Sequence, residues 1–284
     1  MSCYTTGLVL AVILTACSTP RIIVKEFKES PYSKRTGHNP VFVITTDNPN
    51  IRDSLMLATI RTKHKTGDCN FRQVKHAAKS EAMKIGGNLL VITEHKLPDA
   101  LQNPCHRLKG NIYWVSKPEI YEKEILWSSK RKLEVSDFKA STQEKEFVAA
   151  TNSYFGYTTS IQSKENLVVV EVDTYFDCES SYFKENQNQA LVLDHEQLHF
   201  DITELYARKF VKRLHNEIVN FQDFVKNAER IGDEVNKELQ SKQQEYDAAV
   251  YTDLSRQTFW NEWTATALKK LAPYKTKILN KPYK

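Results

Sequence analysis

The sequence is short of the residues that loosen a chain. Glycine occurs 8 times and proline 9 times in 284 residues, which excludes a collagen-like, low-complexity or linker-dominated protein. No internal repeat recurs at periods between about 20 and 50 residues, so a solenoid or propeller is excluded too. The main apolar block, Gly7-Leu-Val-Leu-Ala-Val-Ile-Leu14, falls well short of the ~20 residues that span a bilayer. Neither sign of charge dominates: 40 Lys and Arg stand against 35 Asp and Glu, a net +5. The charges are interspersed, so the clustered basic stripe of a nucleic-acid binder is missing and no nucleic-acid partner is expected. None of the five cysteines belongs to a C-x-x-C pair, which argues against a zinc knot. What remains is a globular composition, 40% hydrophobic and 26% charged, in a chain long enough for two domains.

At the N-terminus, the apolar block has the length of a secretory signal core and runs straight into Leu14-Thr15-Ala16-Cys17. That tetrapeptide resembles the lipobox of bacterial lipoproteins. The resemblance implies cleavage before Cys17, a diacylglycerol on its thiol, and a membrane partner reached through that lipid. Ser18 after the Cys, rather than Asp, points to the outer membrane of a bacterial envelope. Residues 1–16 are thus read as signal peptide and 17–39, charged and without period, as a tether. Export places Cys69, Cys105 and Cys178 in an oxidising compartment, enough for one disulfide and one spare thiol.

From 40 to 117 the pattern is strand, helix, strand, strand. Ser54–Thr62 is β-rich; Phe71, Val74, Ala78, Ala82 and Ile85 recur at helical spacing and stop at Gly86-Gly87; Asn88–Thr93 and Asn111–Val115 are apolar strands. The passage Ala82-Met-Lys-Ile-Gly-Gly-Asn-Leu-Leu-Val-Ile-Thr93 resembles the small βαββ modules of envelope lipoproteins. In those modules the Cys before the helix and the Cys before the last strand pair, and the resemblance carries this over to Cys69 and Cys105. His64, His76, His95 and His106 are scattered through the region and read as solvated. Residues 118–284 form a second unit: two β-rich runs, Phe147–Ile161 and Asn166–Asp177, make a hairpin, and from about Asn186 helical periodicity takes over, with Leu191, Leu198, Ile202, Leu205, Leu214 and Ile218 as one stripe. Sheet followed by helices gives an α+β fold class.

The first of those helices carries His195-Glu196-Gln197-Leu198-His199. A spacing of four puts both imidazoles on one face, about 5–6 Å apart at Cβ, so that two ring nitrogens can converge on a tetrahedral metal. Glu196, roughly 100° around the helix, can reach an attacking water without being a ligand. The H-E-x-x-H pattern arises by chance about once in a hundred chains of this length.

The wider stretch Leu193–Arg208 is very similar to the signature of the domain of unknown function 922 family, secreted bacterial proteins regarded as zinc-dependent proteases. Trp127, Asp137-Phe138-Lys139, Ser180-Ser181, Tyr246-Asp247, Gln257 and Trp260 agree with it. The resemblance implies a zincin-like domain in which His195 and His199 bind zinc, Glu196 is the general base, and a peptide or protein is the substrate. The chain departs from the family after Tyr246-Asp247, where the family carries a His-Gly that is absent here; Asp253 or Asp247 would then supply the third ligand. Tyr251, in the same segment, is the candidate oxyanion donor. Glu204 is assigned a structural i,i+4 pair with Arg208. The expected protein is a lipid-anchored zinc peptidase, with a catalytically inactive envelope binding or scaffold lipoprotein as the alternative.

Overall fold

The computed structural model describes residues 20–27, 41–46, 51–63, 69–99, 103, 105–162, 165–185 and 188–284. The apolar block, Cys17 and most of the tether lie outside them, as does His64. The architecture is α+β, as the order of elements predicts. Among the described residues no helix is long and apolar enough to cross a membrane.

In the first unit, β1 (Ile22–Glu26), β2 (Phe42–Thr45), β3 (Ser54–Thr62), β4 (Leu89–Lys96) and β5 (Arg107–Val115) form one sheet in the order β1-β3-β5-β4-β2. Only β2 and β4 pair in parallel. The helix α1 (Phe71–Lys84) lays Val74, Ala78 and Ala82 on the sheet. Asn70 starts it with a capping box: its side chain accepts from the Gln73 N–H (2.8 Å), and Gln73 Oε1 accepts from the Asn70 N–H (3.0 Å). Gly86, at φ 77°, closes it. This is the expected βαββ core with two added edge strands. One of them, β1, corrects the tether: Ile22 and Val24 alternate onto the core, so the segment from Ile22 pairs with β3 instead of hanging free. Cys69 and Cys105 are joined as a disulfide, closing a loop of 36 residues that is worth roughly 3–4 kcal/mol in the chain-entropy account. Cys178 is free and buried, and burial pushes its thiol up to about 12.

The second unit is built on β9 (Leu167–Asp177). Along one edge runs β8 (Ser153–Gln162), its hairpin partner. Along the other lie β11 (Ile278–Pro282) and β6 (Glu124–Leu126), end to end, facing residues 167–171 and 175–177 respectively. A two-stranded ribbon, β7 (Ala149–Ala150) with β10 (Tyr182–Phe183), sits beside the sheet. Three helices follow: α2 (Gln189–Glu217), α3 (Phe221–Thr252) and α4 (Arg256–Lys270). β11 departs from the expectation that strand signals end near Asn186; its sequence Ile-Leu-Asn-Lys-Pro has one buried residue, Leu279, and is held by ladder bonds rather than by an apolar run. Leu191 also departs: it leaves the buried stripe and is exposed.

The period-2 alternation of β9 explains how the two units join. Val170, Val172, Thr174 and Phe176 face α2. Glu171 and Asp173 turn the other way, to α1, where Arg72 donates to Asp173 Oδ1 (3.0 Å from Nε) and to the carbonyls of Val172 (2.7 Å) and Thr276 (2.9 Å). Both carboxylates are buried, and an unpaired buried charge would be costly, so Arg72 is the bolt between the units.

A second bolt is a histidine pair, and here the solvated reading fails. His95 Nε2 lies 2.8 Å from His106 Nδ1, and His106 Nε2 donates to the Thr159 carbonyl at 2.9 Å. His106 is fully buried; Phe71 stacks on His95 at 4.6 Å. Burial outweighs the Thr159 bond and lowers His106 from 6.5 to about 4. An imidazole of the unfolded chain takes up its proton near 6.5, whereas folded His106 does so only near 4. Stability is therefore full above the unfolded value and is lost as pH falls from one to the other. Thermal unfolding across that window should show the wild type losing stability and a His106→Gln variant losing distinctly less; parallel losses would contradict the assignment.

Candidate metal centre

The site is made by two helices running antiparallel. The turn between them, at 218–220, is tied at both ends: Lys281 Nζ donates to the His215 carbonyl (3.0 Å) and to the Ile218 carbonyl, answering the carbonyls exposed where α2 stops. Asn220 caps α3 by accepting from the Asp223 N–H at 2.9 Å. Coming back along α2, α3 turns Gln243, Tyr246, Asp247 and Val250 towards it, the i, i+3, i+4, i+7 face of a helix. Opposite lie His195 and His199.

Three ligand atoms meet there. Asp247 Oδ1 lies 2.9 Å from His199 Nε2 and 3.2 Å from His195 Nε2, and the two Nε2 atoms are 3.0 Å apart. Asp247 Oδ1 is buried and makes no aligned hydrogen bond despite these short distances, so the three atoms surround a common point. Ligands of a tetrahedral zinc, at bonds of ~2.0–2.1 Å, are about 3.3 Å apart; the observed triangle is close to one face of that tetrahedron. No other group of three His, Cys, Asp or Glu side chains among the described residues converges in this way.

The surrounding residues orient these ligands. Gln243 Nε2 donates to the His199 carbonyl (3.0 Å) and to Thr203 Oγ1 (3.3 Å), which turns its Oε1 to His199 Nδ1, 2.5 Å away. Nδ1 must then carry the proton, leaving the Nε2 lone pair for a metal. Tyr246 stacks on the His195 ring at 4.7 Å and meets His199 edge-on at 5.0 Å, while its hydroxyl donates to Gln257 Oε1 at 2.7 Å. Burial would lower His199, but the Asp247 carboxylate against its Nε2, the charge of Glu196 and the Gln243 bond outweigh it and raise the imidazole. In the other direction, burial would raise Asp247; the two imidazoles win and hold it well below the usual carboxylate range. A metal ion at this point competes with a proton, so its affinity falls on acidification.

Of the two residues offered as third ligand, the fold brings in Asp247 and not Asp253. Asp253 ends α3 in solvent, its Oδ1 accepting from the Ser255 N–H (3.0 Å) and hydroxyl (2.7 Å); six residues beyond Asp247, it falls about 120° off the facing side. Tyr251, one turn past Asp247, does reach the site, its ring 5.7 Å from that of His195. Burial first, then the charges of Asp247 and Glu196, raise its phenol, which stays a hydrogen-bond donor at neutral pH. Glu196 is buried, and its Oε2 has no partner. Gln243 escaped the sequence reading; the signal for it was the heptad face of α3 taken together with the antiparallel turn. Glu204 has the structural role expected and a larger one: besides Arg208 (2.8 Å) it binds Lys277 Nζ (2.5 Å) and Thr174 Oγ1 (2.7 Å), pinning the middle of α2 to β9 and to the start of β11.

No family model, curated protein or solved structure matches the chain. The site is therefore read from its own residues. Calorimetric titration with Zn²⁺ should show Asp247→Ala weakening binding by more than about a hundredfold, Gln243→Leu by about 10–100-fold, and Asp253→Ala not at all. Sensitivity to Asp253 with indifference to Asp247 would contradict the geometry.

Proposed function

We propose that the protein is a zinc-dependent peptidase, tethered through a lipid on Cys17 to the outer membrane of a bacterial envelope. The observation that carries the reading is Glu196: a buried carboxylate oxygen without a partner, lining one cleft with His195, next to three convergent ligand atoms. Metal binding alone gives no reason for a carboxylate at that point, since a buried unpaired acceptor costs stability. A donor set of two imidazoles and one carboxylate fits zinc with one position left open, and Asp247 takes the place of the His that the resembling family carries.

Zinc, when bound, would supply Lewis-acid polarisation of the scissile carbonyl and a water of lowered pKa. The chain's own residues do the rest. His195, His199 and Asp247 would hold the ion, with Gln243 fixing the tautomer of His199. Glu196 accepts the proton of the attacking water and returns it to the leaving amine. Tyr251 donates its phenol hydrogen towards the developing oxyanion. An extended substrate can be received by β7. Val148 and Ala150 turn their backbone groups to β10, as the bond from the Lys184 N–H to the Val148 carbonyl and the Ala150–Tyr182 pairing show; Ala149 between them turns its N–H and C=O away from β10, and it lines the cleft.

Glu196→Gln should leave zinc binding intact and lower peptidase activity on an unfolded protein by about 10²–10⁴-fold. His195→Ala should instead remove the metal. A wild type that binds zinc yet cleaves no faster than Glu196→Gln would replace the peptidase with a binding or scaffold lipoprotein.

A further inference from the structure

The cleft beside the three ligands has a volume of about 300 Å³, and its chemistry is one-sided. Phe147 and Val148 come from the segment leading into β7, Leu191 from the first turn of α2, Tyr251 and Leu254 from the end of α3 and just beyond it. All five are exposed, Phe147 by 56%, Tyr251 by 64% and Leu254 by 61%. Large apolar side chains scattered singly over a surface need no explanation, but five around one concavity do. Two of them are also organised: Phe147 and Tyr251 stack with ring centroids 6.5 Å apart, and Tyr251 lies against His195 in turn. Among the cleft-lining residues the charged ones are acidic, Glu146 and Glu196, apart from the imidazole of His195.

We infer that this cleft is a specificity pocket that takes one bulky apolar side chain, aliphatic or aromatic, from an extended peptide laid along β7, and rejects acidic side chains. Three observations fix the occupant. The lining exposes far more apolar than polar surface, so most of a polar side chain would lose its water without compensation. Glu146 and Glu196 put negative charge at the cleft, which repels Asp and Glu. Ala149 shares the cleft lining and directs a backbone donor and acceptor away from β10, so a chain that pairs there has a side chain beside the pocket. For its consequence in cleavage the inference rests on the peptidase reading; for binding it does not.

The experiment therefore has two arms on the purified full chain. In the first, the protein is kept metal-free with chelator, so that nothing is cleaved, and binding is measured by fluorescence anisotropy with labelled ten-residue peptides identical except for one central Leu, Phe, Gly or Asp. The Leu and Phe peptides should bind at least about tenfold more tightly than Gly and Asp. Leu254→Asp and, as a second exposed position, Leu191→Ser should each remove most of that preference while far-UV circular dichroism stays unchanged. Equal binding of all four peptides, no binding of any, or a preference untouched by both variants would overturn the pocket. In the second arm the zinc-loaded protein digests an unfolded protein and the new termini are sequenced; apolar residues should be enriched at one position flanking the cut. Cleavage without such enrichment overturns the pocket and leaves the peptidase standing. Apolar preference in the first arm with no cleavage in the second supports the pocket and removes the peptidase.

Discussion

The distance between α2 and α3, and the register at which they pass, decide whether the chain has a site at all. His195 and His199 are two candidate ligands on one helix, and two protein ligands do not hold a metal tightly. The third candidate, Asp247, comes from the next helix, at the height where Gln243 touches His199. A slip of α3 by one residue would rotate Asp247 by about 100° and present Tyr246 or Ala248 instead. The antiparallel pair is held against such a slip at three heights: by the cap and lysine at the turn, by the apolar seam of Ile202, Leu205, Phe210 and Leu214 with Ile231, Val235 and Leu239, and by the Gln243 bonds to α2 and the stacking of Tyr246 on His195 at the site.

Behind α2 the sheet fixes the other degree of freedom. Glu204 is completely buried, and a buried carboxylate is tolerated only when its lone pairs are satisfied. Lys277, Thr174 and Arg208 satisfy it, so α2 can sit at one depth over β9 without leaving that charge unanswered. The opposite face of the same strand carries Asp173 and Glu171 to Arg72 of α1. One strand thus holds the helix of His195 and His199 on one side and the βαββ unit on the other, with charged pairs at both contacts. Arg72 and the bond from His106 to the Thr159 carbonyl tie the N-terminal unit to the second.

The legible parts of this arrangement are those encoded within one turn or one strand. The H-E-x-x-H face follows from 3.6 residues per turn, α1 from its apolar spacing and Gly86, and the β8–β9 hairpin from two β-rich runs about a turn. Glu204 with Arg208 is likewise an i,i+4 matter. What escaped is what depends on a partner far away. Asp247 and Asp253 are equivalent as residue types and both lie near the end of α3; only the facing helix distinguishes them. β1 and β11 are short, half-polar strands whose backbone bonds come from neighbours outside their own sequence. His106 reads as one polar residue among others until β8 is laid across it and its Nε2 meets the Thr159 carbonyl. Leu191 obeys the helical period and is still exposed, because the period continues past the end of the buried face and into the cleft wall.

The proposed chemistry requires that His195, His199 and Asp247 form one coordination sphere with a position left open. X-ray absorption at the zinc edge of the zinc-loaded protein measures that sphere directly. Four nearest neighbours are expected, two of them imidazole nitrogens and two oxygens, all at about 2.0–2.2 Å, with one oxygen lost in Asp247→Ala. A sulfur neighbour, a single imidazole, or a sphere of oxygens alone would contradict it.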